Sequence, residues 1–270
     1  MAMASSTSTI NRLLLTGAAG GLGQVLRQSL KPYTQILRLS DIQPLGDAQA
    51  GEECVPCDLA DKVAMQALLA GVDAVVHMGG VSTEAAFEPV MQANILGLFH
   101  LYEGARVHGV RRIVFASSNH ANGFHKQGEV IDSDCVKRPD SYYGLSKSYG
   151  EDLSRFYFDR YGIETVCLRI GSCFPEPIDR RMLVTWLSYR DLTELVRCAL
   201  FAPKVDHTMV FGVSNNRDRW WDNSKAAHLG FVAQDNTEPY RAKLEATPAL
   251  DAADPAKIYQ GGAFVKFGPF

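Results

Sequence analysis

From Arg12 onward, short runs of nearly continuous apolar residues alternate with longer stretches in which apolar residues recur every three or four positions. The short runs are RLLLTG (12–17), QILRLSD (35–41), ECVPCD (53–58), DAVVHMG (73–79), RRIVFASS (111–118), ETVCLRIG (164–171) and HTMVFGVS (207–214). Most are apolar at nearly every position, which predicts strands covered on both faces. The intervening segments 22–31, 61–70, 85–108, 141–161 and 191–201 carry the helical period, and Ala202-Pro203 stops the last of them. This alternation predicts an α/β fold: a doubly wound parallel sheet of about seven strands with helices on both faces.

After residue 171 the alternation loosens. Pro175, Pro177 and an Arg-Arg-Met-Leu stretch predict an irregular segment over the carboxyl ends of the strands. The 56 residues from Asn215 are polar and proline-marked, with Trp220 and Trp221 and only weak helical signal. They predict a small cap and a tail able to pack on a neighbouring chain. The expected division is therefore a disordered leader (1–10), a nucleotide-binding domain with the catalytic residues (11–214), and a short substrate cap and C-terminal tail (172–189 and 215–270).

Composition narrows the partners. At 270 residues, 46% hydrophobic and 21% charged, the chain suits one large soluble domain, and its net charge of −3 includes no Lys/Arg block. Nucleic acid and anionic membranes both require a concentrated basic footprint, so neither is expected as a partner and a small molecule is. No apolar run approaches the ~18 residues of a membrane span. Six cysteines are too sparse for a disulfide scaffold and point to a reducing, cytoplasmic setting. Cys54-x-x-Cys57 has no second ligand pair at zinc spacing, so no metal is expected.

The first strand runs into TGAAGGLG, with Gly17, Gly20 and Gly23 spaced by three immediately before a helix. Glycines there provide a tight turn, an open approach to a pyrophosphate and close packing of helix on strand. Gly21 and Leu22 open the helix, whose free N–H groups face the phosphates. Asp41 ends the second strand, where a carboxylate accepts both ribose hydroxyls of an adenosine and repels a 2′-phosphate. No Lys or Arg follows it in the next turn, so NAD is expected rather than NADP. Asp58 and Leu59 end the third strand, placed to meet adenine, and His77-Met78-Gly79-Gly80 lets a cofactor cross the edge of the fourth.

Tyr143 and Lys147 stand one turn apart in the helix 141–161 and share a face. They follow a strand ending in Ser117-Ser118 at the carboxyl edge of the sheet, where ligands bind in open α/β folds. Removing a hydride from a hydroxyl-bearing carbon also requires removing the hydroxyl proton, and a phenol of pKa near 10 is a poor base at pH 7. A nearby ammonium favours the phenolate, which assigns Lys147 as helper, Tyr143 as base and Ser118 as the group that holds the reacting oxygen.

Together, GAAGGLG, Asp41, Asp58-Leu59, Asn94, Ser117-Ser118 and Tyr143-Gly-Leu-Ser-Lys147 resemble the short-chain dehydrogenase/reductases, and the glycine spacing is similar to that of their extended branch. The likeness covers residues 12 to about 214. It implies a Rossmann-type fold and a bound NAD(P), with Asn94 helping to hold the catalytic lysine and Met78 and Ile170 on the cofactor wall. The strings HMGGVS (77–82), SSNH (117–120), IGSCFPEP (170–177) and RRMLVTW (180–186) resemble the bacterial members that oxidise C1 of a uronic acid to the aldarolactone with NAD. That subgroup implies a uronate substrate.

A guanidinium binds a carboxylate through two parallel hydrogen bonds, and Arg181 lies in the irregular segment above the strands. Ser82, Ser118, Asn119, His120 and Ser172 would supply partners for sugar hydroxyls, each from a strand-end loop. A sugar-nucleotide epimerase or dehydratase of the same fold, or a non-catalytic NAD sensor, remain open as alternatives. The first needs room for a nucleotide diphosphate, and only 99 residues follow Gly171. The likeness also implies a homo-oligomer, a dimer on the helices 85–108 and 141–161 or a hexamer of such dimers.

Overall fold

A computed structural model describes residues 9–268. Residues 1–8 of the expected leader lie outside the described residues, and Ile10 already belongs to the sheet. Strands β1 (Ile10–Thr16), β2 (Thr34–Ser40), β3 (Glu52–Cys54), β4 (Ala74–His77), β5 (Arg112–Ser118) and β6 (Glu164–Ile170) pair in parallel. A two-residue pair, β7 (Ser172–Cys173) with β8 (Trp186–Leu187), stands apart, and β9 (His207–Gly212) completes the main sheet beside β6. The sheet order is β3-β2-β1-β4-β5-β6-β9. The chain thus winds outward from β1 in one direction and from β4 in the other. The carboxyl ends of β1 and β4 flank the switch point, where the following loops part and leave a crevice.

The seven runs read from sequence are the seven strands, though two are shorter. The third is regular only to Cys54, although the Val55 and Cys57 N–H groups still bond the Leu39 and Asp41 carbonyls; Pro56 between them faces the open edge of the sheet. The fourth ends at His77, and Gly80, at φ 125°, turns the chain out of the sheet.

Alternate strand residues feed two apolar layers. Leu13, Leu15, Val76, Val114 and Leu168 pack under α1 (Gly21–Ser29) and residues of a later helix, Leu192, Leu195 and Val196. On the opposite face Leu14, Val75, Ile113, Phe115 and Cys167 pack under α2 (Lys62–Leu69) and the segment 87–108. That segment is continuous, but it comprises α3 (Phe87–Val90), a π-type turn (Met91–Leu96) and α4 (Gly97–His108). The long α5 (Tyr142–Tyr161) starts at the Ser141 cap, whose hydroxyl accepts the Gly144 N–H, and ends at Gly162 in the left-handed region.

The irregular segment holds α6 (Met182–Thr185), followed by α7 (Tyr189–Phe201), which Ser188 caps. The tail contains α8 (Glu238–Glu245) and α9 (Pro255–Ile258) between 3₁₀ turns at Ser224–Leu229 and Gly262–Lys266. Trp220 and Trp221, at the start of the tail, are buried within their own chain. Trp221 stacks on Phe211 with ring centroids 5.0 Å apart and donates its indole N–H to Gln260 Oε1 at 2.9 Å. The tail is thereby tied back onto the sheet.

Behind the strand ends, Glu151 of α5 and Arg169 of β6 form a two-bonded ion pair (2.9 and 3.0 Å) with side chains 0% and 1% exposed. The Ser117 hydroxyl donates to the same carboxylate at 2.7 Å. Removing one partner strands a buried charge, a loss of about 3–5 kcal/mol. Glu151→Ala is therefore expected to lower the unfolding free energy by that amount in a urea titration. A change below ~1 kcal/mol would show that water reaches the pair. No described helix is long and apolar enough to cross a membrane.

Candidate active site

The crevice between β1 and β4 opens into a cavity of about 1170 Å³ that runs along the carboxyl ends of the strands to the irregular segment and the tail. A pocket for one small ligand is typically ~300–1,000 Å³, so this space suits a dinucleotide together with a small second molecule.

At one end stand Gly17, Gly20, Gly21, Leu22 and Gly23. Gly17 has φ 70°, and a Cβ there would come within 2.6 Å of the Met78–Gly79 backbone. A Cβ on Gly23 would overlap the Gly17 carbonyl, so the first turn of α1 lies directly on the strand end. Gly20 caps α1 without any side chain, and no acidic residue occupies the first turn, leaving its N–H groups for an anion. Asp41 lies beside this turn, its Oδ2 accepting the Ala19 N–H at 3.0 Å and its Oδ1 the Gln43 N–H at 2.9 Å. Its remaining lone pairs are available to a diol. Asp58, Leu59, Met78 and Ile170 continue the wall, and the only described Lys and Arg on it, Lys147 and Arg181, belong to the other end. This donor and acceptor set fits NAD, with no described cation placed for a 2′-phosphate.

Asn94 is the one expected cofactor residue that the structure places outside the cavity lining. It sits in the π-type turn, and its amide bonds both Val81 backbone groups (2.8 and 2.9 Å) and the Ser146 hydroxyl (2.9 Å). It joins the loop after β4 to α5, next to Lys147. π-type turns often mark such positions.

At the other end Ser118, Tyr143 and Lys147 line one stretch of wall. The Lys147 ammonium donates to the Ala116 carbonyl at 2.7 Å and lies 5.5 Å from the centre of the Tyr143 ring. Burial draws its pKa down to about 8. The phenol departs from expectation: burial pushes Tyr143 up to about 12, and the group that draws it back is the hydrogen-bonded Ser118 hydroxyl, not Lys147. The desolvation of a fully enclosed ring outweighs what its neighbours supply.

Ser82, Asn119, His120, Ser172 and Arg181 converge on the same region. Arg181 Nε donates to the Gln260 carbonyl (2.7 Å), Nη1 to Ser172 Oγ (3.1 Å) and Nη2 to the Asn119 amide oxygen (2.8 Å), while the Asn119 amide nitrogen donates to the Ile170 carbonyl (3.1 Å). Three of its five N–H donors are used and two remain. No carboxylate lies within ion-pair distance of it among the described residues, and burial lowers its pKa to about 10. An unpaired, desolvated guanidinium in a cavity is a receptor for an anion.

Four contributors escape a reading of sequence. Glu84 accepts the N–H groups of Tyr142 (3.0 Å) and Tyr143 (2.8 Å), placing a carboxylate at the start of the helix that carries the phenol. Asp140 holds His120 Nδ1 at 2.7 Å. Gly261 and Phe264 reach the cavity from the tail, and Phe264 stacks on His120 with centroids 3.7 Å apart. Nothing local in the sequence marks any of the four.

The sequence matches the NAD dependent epimerase/dehydratase family over residues 13–194. It is 61% identical over 266 residues to a uronate dehydrogenase of Pseudomonas putida, covering 98% of this chain and 99% of that one. Among solved structures, it matches a glucuronic acid dehydrogenase from Chromohalobacter salexigens at 50% identity, with a TM-score of 0.95 over 96% of this chain and 98% of the other. It also matches a mutant uronate dehydrogenase from Agrobacterium tumefaciens complexed with NAD, at 49% identity with a TM-score of 0.94 over 96% and 98% of the two chains.

Proposed function

The chain belongs to the NAD dependent epimerase/dehydratase family, and within it we propose that it acts as an NAD-dependent dehydrogenase of uronic acids. It oxidises C1 of D-galacturonate or D-glucuronate, as the cyclic hemiacetal, to the aldarolactone. The observation that carries this reading is the unpaired Arg181 guanidinium in the same cavity as Ser118, Tyr143 and Lys147. A sugar placed between them has its carboxylate on an anion receptor and its far end at a proton acceptor.

When bound, NAD supplies the hydride acceptor and a positively charged nicotinamide ring. The chain's own residues do the rest. Gly17, Gly20, Gly23, the start of α1 and Asp41 hold the dinucleotide. Ser118 holds the C1 hydroxyl, Tyr143 accepts its proton, and Lys147 contributes positive charge beside the phenol and a donor to the cofactor ribose. Arg181, with Asn119 and Ser172 bracing it, holds the carboxylate, and Ser82 and His120 meet ring hydroxyls.

Incubating the protein with NAD and galacturonate is expected to produce one NADH per sugar oxidised, seen in the near-ultraviolet absorbance of the reduced nicotinamide. An epimerase or dehydratase re-oxidises its cofactor in each turnover and yields none. A non-catalytic sensor binds NAD with no turnover, and either result would overturn the reading. We also infer a cytoplasmic homo-oligomer, a dimer or hexamer. Leu96, Phe99 and Val107 on the 87–108 segment and Leu145 and Phe156 on α5 are exposed apolar residues on the two helices concerned. Light scattering of the purified protein distinguishes these assemblies from a monomer.

A further inference from the structure

His120 is held on three sides. Its Nδ1 lies 2.7 Å from Asp140 Oδ2, Phe264 stacks on its face at 20° between planes, and the Tyr143 ring meets it edge-on with centroids 5.9 Å apart. Its Nε2 has no hydrogen-bond partner among the described residues, and the ring lines the cavity. Asp140 is sealed: its side chain is 0% exposed, and its Oδ1 accepts the Ser141 hydroxyl at 2.8 Å. Glycines at 123 and 261 make the room, since a Cβ on either would overlap the carboxylate. Gly261 comes from the tail, and its N–H donates to the Gly123 carbonyl at 2.8 Å, so tail and strand-end loop close around Asp140 together.

An ionised carboxylate only accepts hydrogen bonds, so the proton between Asp140 and His120 belongs on Nδ1. Burial holds the His120 pKa below its ordinary value, against the opposing pull of Asp140, so the ring is neutral near pH 7. A neutral ring protonated on Nδ1 has a lone pair on Nε2. Its immediate neighbours in the cavity differ in this respect. Arg181 and Lys147 are donors only, and the Asn119 amide oxygen is occupied by Arg181.

We propose that Asp140 is a positioning residue that fixes the proton of His120 on Nδ1, so that Nε2 accepts a hydrogen bond from a ring hydroxyl of the sugar acid. The role rests on the dehydrogenase reading. It makes His120 select sugars that present a donating hydroxyl at that point, disfavouring deoxy and O-methyl analogues.

Asp140→Asn preserves shape but can present an amide N–H to Nδ1, which moves the imidazole proton to Nε2. The KM for galacturonate is expected to rise about tenfold with a smaller change in kcat and unchanged NAD affinity, the loss of one buried hydrogen bond. The acid limb of kcat/KM, where His120 gains its second proton, should move to lower pH, because Asp140 is what raises that pKa. The other groups facing the ring, Arg181, Glu84 and Tyr143, are unchanged. In a His120→Ala background the substitution should have no further effect on KM. A full additive effect there would overturn the proposal.

The ¹⁵N spectrum of the histidine rings, with His120 assigned by loss of its signals in His120→Gln, reads the tautomer in the unsubstituted protein without substrate. A pyridine-like Nε2 is expected, and a pyridine-like Nδ1 would overturn the assignment even if Asp140→Asn failed to fold. Because this readout needs no turnover, it separates failure of the Asp140 role from failure of the uronate reading, which would appear as no NADH from any uronate.

Discussion

In Tyr143→Phe, NADH formation from galacturonate falls by about a thousandfold in kcat, with NAD affinity retained. The phenol combines contact with Ser118, burial and an exchangeable proton at the expected reaction point. Losing a general base costs typically 10²–10⁴ in rate, and a thousandfold is about 4 kcal/mol of barrier. The magnitude also shows why the base cannot act alone. At a pKa of about 12, only about one phenol in 10⁵ is ionised at pH 7.

Lys147, its own pKa drawn down to about 8 by burial, does not lower that of the phenol in the protein alone. The Ser118 hydrogen bond is already counted in that value, so the further stabilisation of the phenolate must come from charge delivered with the cofactor. Activity should therefore rise with pH through the neutral range, as the phenolate fraction grows. That rise should be absent from the residual rate of Tyr143→Phe in a kcat/KM profile from about pH 6 to about pH 9. More than a tenth of the original kcat in the variant would remove Tyr143 from the chemistry.

Arg181→Ala should raise the KM for galacturonate about a hundredfold with a much smaller fall in kcat. Two remaining donors on a desolvated guanidinium form a paired contact with a carboxylate, and its loss is worth about 2.7 kcal/mol. Ground-state binding of a group remote from the reacting carbon appears in KM. Because Arg181 also ties Gln260 and Ser172 into place, truncation also loosens the tail, with or without a ligand. Galactose, which lacks the carboxylate, separates the two effects. If Arg181 binds the carboxylate, kcat/KM for galactose is nearly unchanged, and the preference for the acid over the neutral sugar collapses. An equal loss for both sugars would make Arg181 a structural brace.

Most of the nucleotide end was legible because its determinants are local. Gly17, Gly20 and Gly23 act within one strand-to-helix turn, and Asp41 acts at the end of the next strand. In a parallel doubly wound sheet every strand ends on the same edge, so reading the strands is enough to bring Asp41, Asp58, Met78, Ser118 and Ile170 to one crevice. Tyr143 and Lys147 follow from helical spacing together with their position after the strand that ends in Ser117-Ser118. Asn94 was read through the family likeness rather than from local spacing. Its helix was legible, whereas the π-type turn that carries it and the bonds of its amide to the Val81 backbone and Ser146, beside Lys147, were not.

The tail illustrates the same limit from the other side. Its polar, proline-marked composition has no period to read, yet its Gln260 carbonyl, Gly261 and Phe264 complete the wall around Arg181 and His120. The height of the Tyr143 pKa is likewise a property of enclosure.

The amino-acid sequence by itself determined the seven strands of the sheet, the glycine turn with Asp41 beside it and the placing of Ser118, Tyr143 and Lys147 together, since strand and helix periods and one-turn spacings are properties of neighbouring residues. Only the tertiary structure decided that Arg181 makes no ion pair among the described residues, that Asp140 and Phe264 hold His120, that Glu84 accepts the first N–H groups of α5 and that burial raises the phenol pKa rather than lowering it. Each of these depends on which side chains distant segments bring together and on how much water they exclude, and desolvation and pairing are set by the packed surroundings, not by the order of residues along the chain.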